Sequence, residues 1–359
     1  MKKVLHIHNP LVSHLPQSAF LLSVIGNKED EYDWIMSNFV NIRMNRHTVY
    51  EDFYRNDMWY NCYHIIDNSM TKEFIKKFIC DDLEKYLIMS IDNGYYVYVY
   101  SVEKHIPHYY TERYSRHCPM VFGYDSDEKI FYIADFFKDS KYSFECVTFD
   151  QMKTSLAYNE KEFDFYSDML FRTIKKKEGY SYKFSIDGLR NRLEEYLISK
   201  DMYSNTYPQF QSNDLEQSLF YDIKNDFQFD FGLKCYDAAI WCISSAYISR
   251  RQFHLFYAHK ILMRHRLEYL SGRYNLDGIH ELMEKCDKLI DLSLRCRNVF
   301  MKSEALHNEC LDKVTKEKLI NCLQDIKNLD SEFTEKLISS LDAQNQMQNP
   351  ESTFKMRIV

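Results

Sequence analysis

Two short runs of strand-type side chains, Val121-Phe122 and Ile130-Phe131-Tyr132-Ile133, flank the polar segment Gly123-Tyr124-Asp125-Ser126-Asp127-Glu128-Lys129. Such a pattern predicts a β-hairpin, because turn residues between two β-branched and aromatic runs bring the runs back antiparallel. His117 starts the first strand and Asp135 ends the second. In an antiparallel pair those two ends are neighbours, so the Asp135 carboxylate can hold the His117 imidazole in one tautomer, as a general base needs. The competing reading is a histidine satisfied at a strand edge, with no chemistry.

The residues before the hairpin predict a mixture of helix and strand. Val4 to Ile7 suits a short strand, and Asn9-Pro10 a turn. Pro16 fits the first position of a helix, where its missing N–H costs nothing. The run Ala19 to Ile25 that follows is apolar nearly all round, as in a buried helix. The N-terminus of such a helix favours a nucleophile, since its free N–H groups and dipole stabilise negative charge. Residues 31 to 92 read as mainly helical, over Glu31 to Asn41 and Thr71 to Ile88. Asp92-Asn93-Gly94 is a turn, and Tyr95-Tyr96-Val97-Tyr98-Val99-Tyr100 is a strand by composition. Lys141 to Val147 adds a strand and Asp150 to Tyr158 a short helix. A buried helix ahead of an antiparallel sheet is an α+β order.

The pattern changes near residue 185. Ser185 caps a helix running to Ile198, and Tyr203 to Asn213 reads as a loop. Apolar residues at three- and four-residue steps then predict helices over Leu215–Phe227, Cys235–Ile248, Gln252–Ser271, Asp277–Asn298 and Lys316–Leu341. This half carries no strand signal, so a helical bundle is expected. The expected organisation is an N-terminal domain over 1–180, an all-α domain over 181–345, and a flexible polar tail over 346–359.

Composition narrows the function classes. A net charge of −7 argues against wholesale nucleic-acid binding. The 10 cysteines form no Cys-x-x-Cys and no Cys/His group at zinc spacing, so no metal site is expected. The first residues carry two lysines but no long apolar run, unlike a signal peptide. No window approaches the roughly 18 apolar residues of a membrane span. A cytoplasmic chain with reduced thiols and no membrane partner is the expectation. Lys175-Lys176-Lys177 reads as a solvated face or a docking patch for an acidic partner. On the basic helix, Arg251, His254 and His259 either turn towards the N-terminal domain or join surface ion pairs. Cys62, beside aromatics, and Cys118, on the face opposite His117, read as core.

The hairpin residues His117…Gly123-Tyr124-Asp125…Tyr132-Ile133-Ala134-Asp135 resemble the papain-like acyltransferases related to the butirosin biosynthesis acyltransferase. They are also similar to the cysteine-protease homologues of thiotemplated peptide clusters, such as those of polythioamide (closthioamide-type) assembly. The block Arg251-Gln252-Phe253-His254…Ala258-His259-Lys260…Arg266-Leu267-Glu268-Tyr269-Leu270 is similar to a motif of the same group. The resemblance implies a papain-like N-terminal domain and an acyl transfer that ends in an amide. A cysteine at the start of the first long helix takes an acyl group from the phosphopantetheine thioester of an acyl or peptidyl carrier protein, and an amine then attacks the acyl-enzyme. No cofactor is held by the protein itself. His117 matches the base, and Asp135 the residue that orients it.

The chain departs from that pattern at the nucleophile. No cysteine precedes Cys62, and the nucleophile position falls within Leu15 to Ser18, where Ser18 is the one hydroxyl. Three accounts stay open: a homologue that has lost its nucleophile, a serine substituted for the cysteine, or Ser18 itself acting. For Ser18 the bland alternative is a small helix-start residue with no chemistry. The functional readings are an amide-forming acyltransferase, a nucleophile-lacking pseudoenzyme that binds a carrier protein or product, and a cysteine peptidase-like hydrolase.

Overall fold

The structure is a computed structural model and describes residues 1–46, 51–53, 62, 65–69, 82–99, 101–109, 116–138, 141–156, 171–179, 181–200, 229–245, 248–307 and 311–348. The strands are β1 (Lys2–Val4), β2 (Ile42–Asn45), β3 (Glu51–Phe53), β4 (Ile65–Ser69), β5 (Tyr96–Val99), β6 (Ser101–Val102), β7 (Arg116–His117), β8 (Met120–Asp125), β9 (Ile130–Phe136), β10 (Tyr142–Thr148), β11 (Phe171–Lys176) and β12 (Phe229–Phe231). The helices are α1 (Pro16–Val24), α2 (Glu29–Ser37), α3 (Leu83–Asp92), α4 (Phe149–Ser155), α5 (Ile186–Leu197), α6 (Lys234–Ser245), α7 (Arg250–Arg273), α8 (Ile279–His307) and α9 (Lys313–Gln348). The described strand pairs are antiparallel, and the fold class is α+β. Among the described residues, no helix is long and apolar enough to cross a membrane.

The chain divides into two compact units. One comprises Met1–Tyr32 and Trp59–Tyr182, the other Asp33–Met58 and Lys183–Val359. Residues 33–58, which the sequence reading places in the N-terminal domain, group with the second unit. The cause is strand pairing: β2 lies between β12 and β3, with Met44 opposite Asp230.

The first unit is built on a seven-stranded sheet in the order β10-β9-β8-β5-β11-β4, with β1 added beside β8. The hairpin forms as β8 and β9, joined by a turn over residues 126–129. Gly123 to Asp125 belong to the strand rather than to the turn. An extra residue on β8, between the pairs Val121–Ile133 and Gly123–Tyr132, makes a bulge. Gly123 is required by close approach, because a Cβ there would meet the Lys3 carbonyl oxygen at 2.9 Å. The first strand is Lys2–Val4 rather than Val4–Ile7, since it is residues 2–4 that pair with β8.

Helix α3 repeats Leu83, Leu87 and Ile91 at four-residue steps. With Val97, Val99, Val121, Phe131 and Ile133 from the sheet, these residues form one buried cluster. Helix α1 starts with Pro16, and residues 18–25 are buried throughout, as an all-round apolar helix requires.

Among the described residues, the second unit holds helices α5 to α9 and a small sheet, β12-β2-β3. The sequence reading gives this half no strand. A three-residue strand such as Phe229-Asp230-Phe231 is too short to show a period-two pattern. Ser185 caps α5 as expected, accepting from Gly188 N at 3.1 Å. Ser249 and Gln252 form a reciprocal capping box at the start of α7. Helix α9 continues to Gln348, so residues 346–348 are helical rather than part of a tail, and 349–359 lie outside the described residues. The loop expected at Tyr203–Asn213, the helix at Leu215–Phe227 and residues 71–81 of the expected helix Thr71–Ile88 also lie outside them.

Buried basic side chains at Arg266 and Lys260 organise this unit. The Arg266 guanidinium donates to the carbonyls of Met36 at 2.7 Å and Asn38 at 2.5 Å. It thereby satisfies carbonyls at the end of α2 that the helix leaves without partners. Lys260 Nζ lies 2.5 Å from Asp330 Oδ2, with the side chains 0% and 1% exposed. The same carboxylate oxygen accepts from Tyr196 at 2.6 Å and Tyr236 at 3.0 Å. His259 is buried within this unit. Its Nε2 donates to the Val40 carbonyl at 2.8 Å, which leaves Nδ1 to accept from Lys260 at 2.9 Å. Arg264 makes the surface ion pairs that a basic helix suggests, with Asp287 and Glu268.

Candidate active site

The site lies in the first unit, where β7 meets β9. The sequence reading starts a single strand at His117. The structure divides it, with His117 on β7 and the next strand, β8, beginning at Met120. Pro119 explains the break, since it has no N–H to give to a ladder, while its carbonyl still accepts from Val99 N at 3.1 Å. On β7, His117 pairs with Ser101 of β6.

His117 and Asp135 are brought together. His117 Nδ1 donates to Asp135 Oδ2 at 2.5 Å. Asp135 is 0% exposed and His117 27% exposed, so the acid end of the pair is buried and the imidazole is partly exposed. The second carboxylate oxygen, Oδ1, accepts from Phe136 N at 2.8 Å. A buried carboxylate held in this way fixes the Nδ1–H tautomer and leaves Nε2 as the basic nitrogen.

Asp135 has a third partner that the sequence did not disclose: the Tyr109 hydroxyl also donates to Oδ2. Tyr109 follows a 3-10 turn at Glu103–His105 and is buried against Phe137, with ring centroids 5.0 Å apart. Its ring lies 5.2 Å from that of His117. Burial, and then the Asp135 charge, raise the Tyr109 hydroxyl well above the usual tyrosine range, so it stays a donor. Among 29 tyrosines, nothing local marks this one.

Ser18 stands elsewhere in the hydrogen-bond pattern. Its hydroxyl is fully buried and bonds to His14 Nε2 at 3.3 Å, rather than to His117. His14 precedes α1, and Ser18 lies in its first turn, four residues on. The cap residue Leu15 has extended backbone and supplies no side-chain cap. Further along α1, Ser23 Oγ lies 3.0 Å from the Tyr142 hydroxyl. Tyr142 is raised by burial foremost, with the Asp135 charge adding to it.

Cys118 follows His117 directly and carries its thiol at a partly exposed position rather than in the core that the sequence reading expects. Burial, then the Asp135 charge, push that thiol up, so it stays protonated and a weak nucleophile. Cys62 is buried. Among the described residues, no group of three or more His, Cys, Asp or Glu side chains is placed to hold a metal ion. In the lysine run, Lys176 pairs with Glu31 at 2.5 Å and Lys175 lies over the Tyr95 ring at 5.2 Å.

No family model matches the chain, and no curated protein matches it.

Proposed function

We propose that the chain is a papain-like acyltransferase that moves an acyl group from the phosphopantetheine thioester of a carrier protein to an amine. The observation that carries this reading is the 2.5 Å bond between His117 Nδ1 and the buried Asp135 carboxylate. That pair has the tautomer and orientation of a general base, and Tyr109 adds a further hold on the carboxylate. A helix packed against an antiparallel sheet, with the histidine and the aspartate on different strands, agrees with the papain-like arrangement.

The step assigned to the dyad is proton transfer. As the amine nitrogen attacks the thioester carbonyl, His117 Nε2 takes its proton. The tetrahedral intermediate collapses, the C–S bond breaks, and the proton passes to the departing thiolate. Amine and thioester become amide and thiol, and the histidine is restored. Attack by the amine itself is favoured over an acyl-enzyme, because the Ser18 hydroxyl bonds to His14 and not to the His117–Asp135 pair that would have to activate it. The same observation favours the second reading, a nucleophile-lacking protein that binds a carrier protein or product.

The test is mass spectrometry of products after incubation with an acyl-carrier thioester and an amine. The expected result is an amide, lost in His117→Ala. Variants with cysteine at 15, 16, 17 or 18 are expected to include one that forms a stable acyl adduct through His117. Carrier protein retained with neither amide nor adduct would replace this reading with the second.

A further inference from the structure

Both nitrogens of the buried His259 imidazole are engaged, and the engagement fixes its charge. Nε2 meets the Val40 carbonyl, which only accepts, so this nitrogen carries the proton. Nδ1 meets the Lys260 ammonium, which only donates, so this nitrogen keeps its lone pair. The three N–H groups of the ammonium have three acceptors: His259 Nδ1 at 2.9 Å, Asp330 Oδ2 at 2.5 Å and the Tyr196 hydroxyl at 3.5 Å. Neutral His259 completes that set. A proton on Nδ1 would set N–H against N–H, and would add a charge where His259 is 1% and Lys260 0% exposed.

Among the described residues, the groups around the ring offer an added charge no counter-ion of its own. On α7, Lys260 and Arg266 are both cationic, and Arg266 donates to the Met36 and Asn38 carbonyls. From α9 comes the Asp330 carboxylate, already paired with Lys260 and accepting from Tyr196 of α5 and Tyr236 of α6. The Tyr196 ring lies 4.9 Å from the imidazole. Helix α8 supplies the Cys286 thiol, which donates to the Lys260 carbonyl at 3.6 Å. Strand β3 presents the Phe53 ring, 6.1 Å away, and its Asp52 alternates to the other face. Burial first, then the Lys260 charge, hold His259 well below its ordinary 6.5, although the Val40 carbonyl works the other way.

We propose that His259 is a proton-operated latch of the second unit: neutral, it ties Val40, just ahead of β2, to the Lys260–Asp330 centre, and proton uptake frees that segment from α7. The tie runs in one line, from the Val40 carbonyl through both imidazole nitrogens to Lys260 and Asp330. An opened imidazole takes its proton at about 6.5 and the latched one does not, so the latched form keeps its full advantage above 6.5. Below that, opening gains about tenfold for each pH unit, until the latched form itself binds the proton. The latch belongs to the second unit and is independent of the proposed acyl transfer.

Hydrogen exchange of the full chain, read by mass spectrometry from about pH 5 to about pH 8, tests the latch. Protection of residues 38–45, corrected for the intrinsic exchange rate, is expected to fall about tenfold per pH unit below about 6.5. His259→Gln keeps one donor and one acceptor but gains no proton, so its protection is expected to stay level over the same range. A parallel fall in that variant overturns the proposal, and so does level protection in the unsubstituted chain. Where the glutamine variant fails to fold, nitrogen NMR of the histidine-labelled chain decides. His259 is expected to keep the neutral Nε2–H form about one pH unit below 6.5, and ordinary titration near 6.5 with protection intact overturns the latch.

Discussion

His117 Nδ1 lies 2.5 Å from Asp135 Oδ2 although their strands are not paired: β7 pairs with β6, and β9 with β8 and β10. The contact arises at the open end of the hairpin, beyond the break at Pro119. Asp135 reaches it as a fully buried side chain with three hydrogen-bond donors. Burying a carboxylate is tolerated only when its oxygens are satisfied, so the donors also explain how an aspartate stays in this core.

Replacing His117 by Ala is expected to reduce amide formation by about 10²–10⁴-fold, the usual contribution of a general base. Asp135→Asn should fall in the same range, because an amide no longer selects the Nδ1–H tautomer. Product formation measured by mass spectrometry, with circular dichroism to establish folding, checks both.

Tyr109→Phe keeps the ring and removes one donor to Asp135. A fall of about ten- to a hundredfold in rate is expected, at or below the low end for His117→Ala, since one hydrogen bond to a charged group contributes about 1.5–3 kcal/mol. Equal loss in the two variants would show that Tyr109 touches the reacting groups directly.

Ser18→Ala should leave amide formation within about twofold and lower stability by about 1 kcal/mol, the worth of one hydrogen bond. Folded protein with no activity would make Ser18 the nucleophile and remove the direct-attack route.

Lys260→Ala should destabilise the second unit by about 3–5 kcal/mol, because it leaves the Asp330 carboxylate buried without its cation. The double variant Lys260→Met, Asp330→Leu should recover only part of that loss, since it removes both charges but leaves the buried Tyr196 and Tyr236 hydroxyls and His259 Nδ1 without their partners. Chemical denaturation of the three proteins gives the comparison.

Burial pushes the Glu31 carboxyl up, but the Lys176 ammonium and the N–H groups of Gly26 and Asn27 outweigh it and hold Glu31 below its ordinary 4.5. A carboxyl depressed on folding binds its proton less readily when folded, so it stabilises the fold above its unfolded value. That stability is lost as pH falls through the folded value. Glu31→Gln should therefore be less stable than the unsubstituted chain at neutral pH. The gap should narrow in acid below about 4.5. Denaturation midpoints across pH 2–7 test this, and a constant gap would contradict it.

Local patterns in the sequence determined several features: the β8–β9 hairpin, the Tyr96–Val99 strand, the start of α1 at Pro16 and the cap at Ser185. Each depends on neighbours within a few positions, through side-chain period, turn chemistry or a missing N–H. The placement of His117 and Asp135 at the hairpin's open end was legible for the same reason. Tertiary structure alone decided that Tyr109 joins Asp135 and that β2 pairs with a strand from far along the chain. No period or motif encodes those contacts. They arise because a buried polar group needs a partner, and which residue supplies it depends on how distant elements pack.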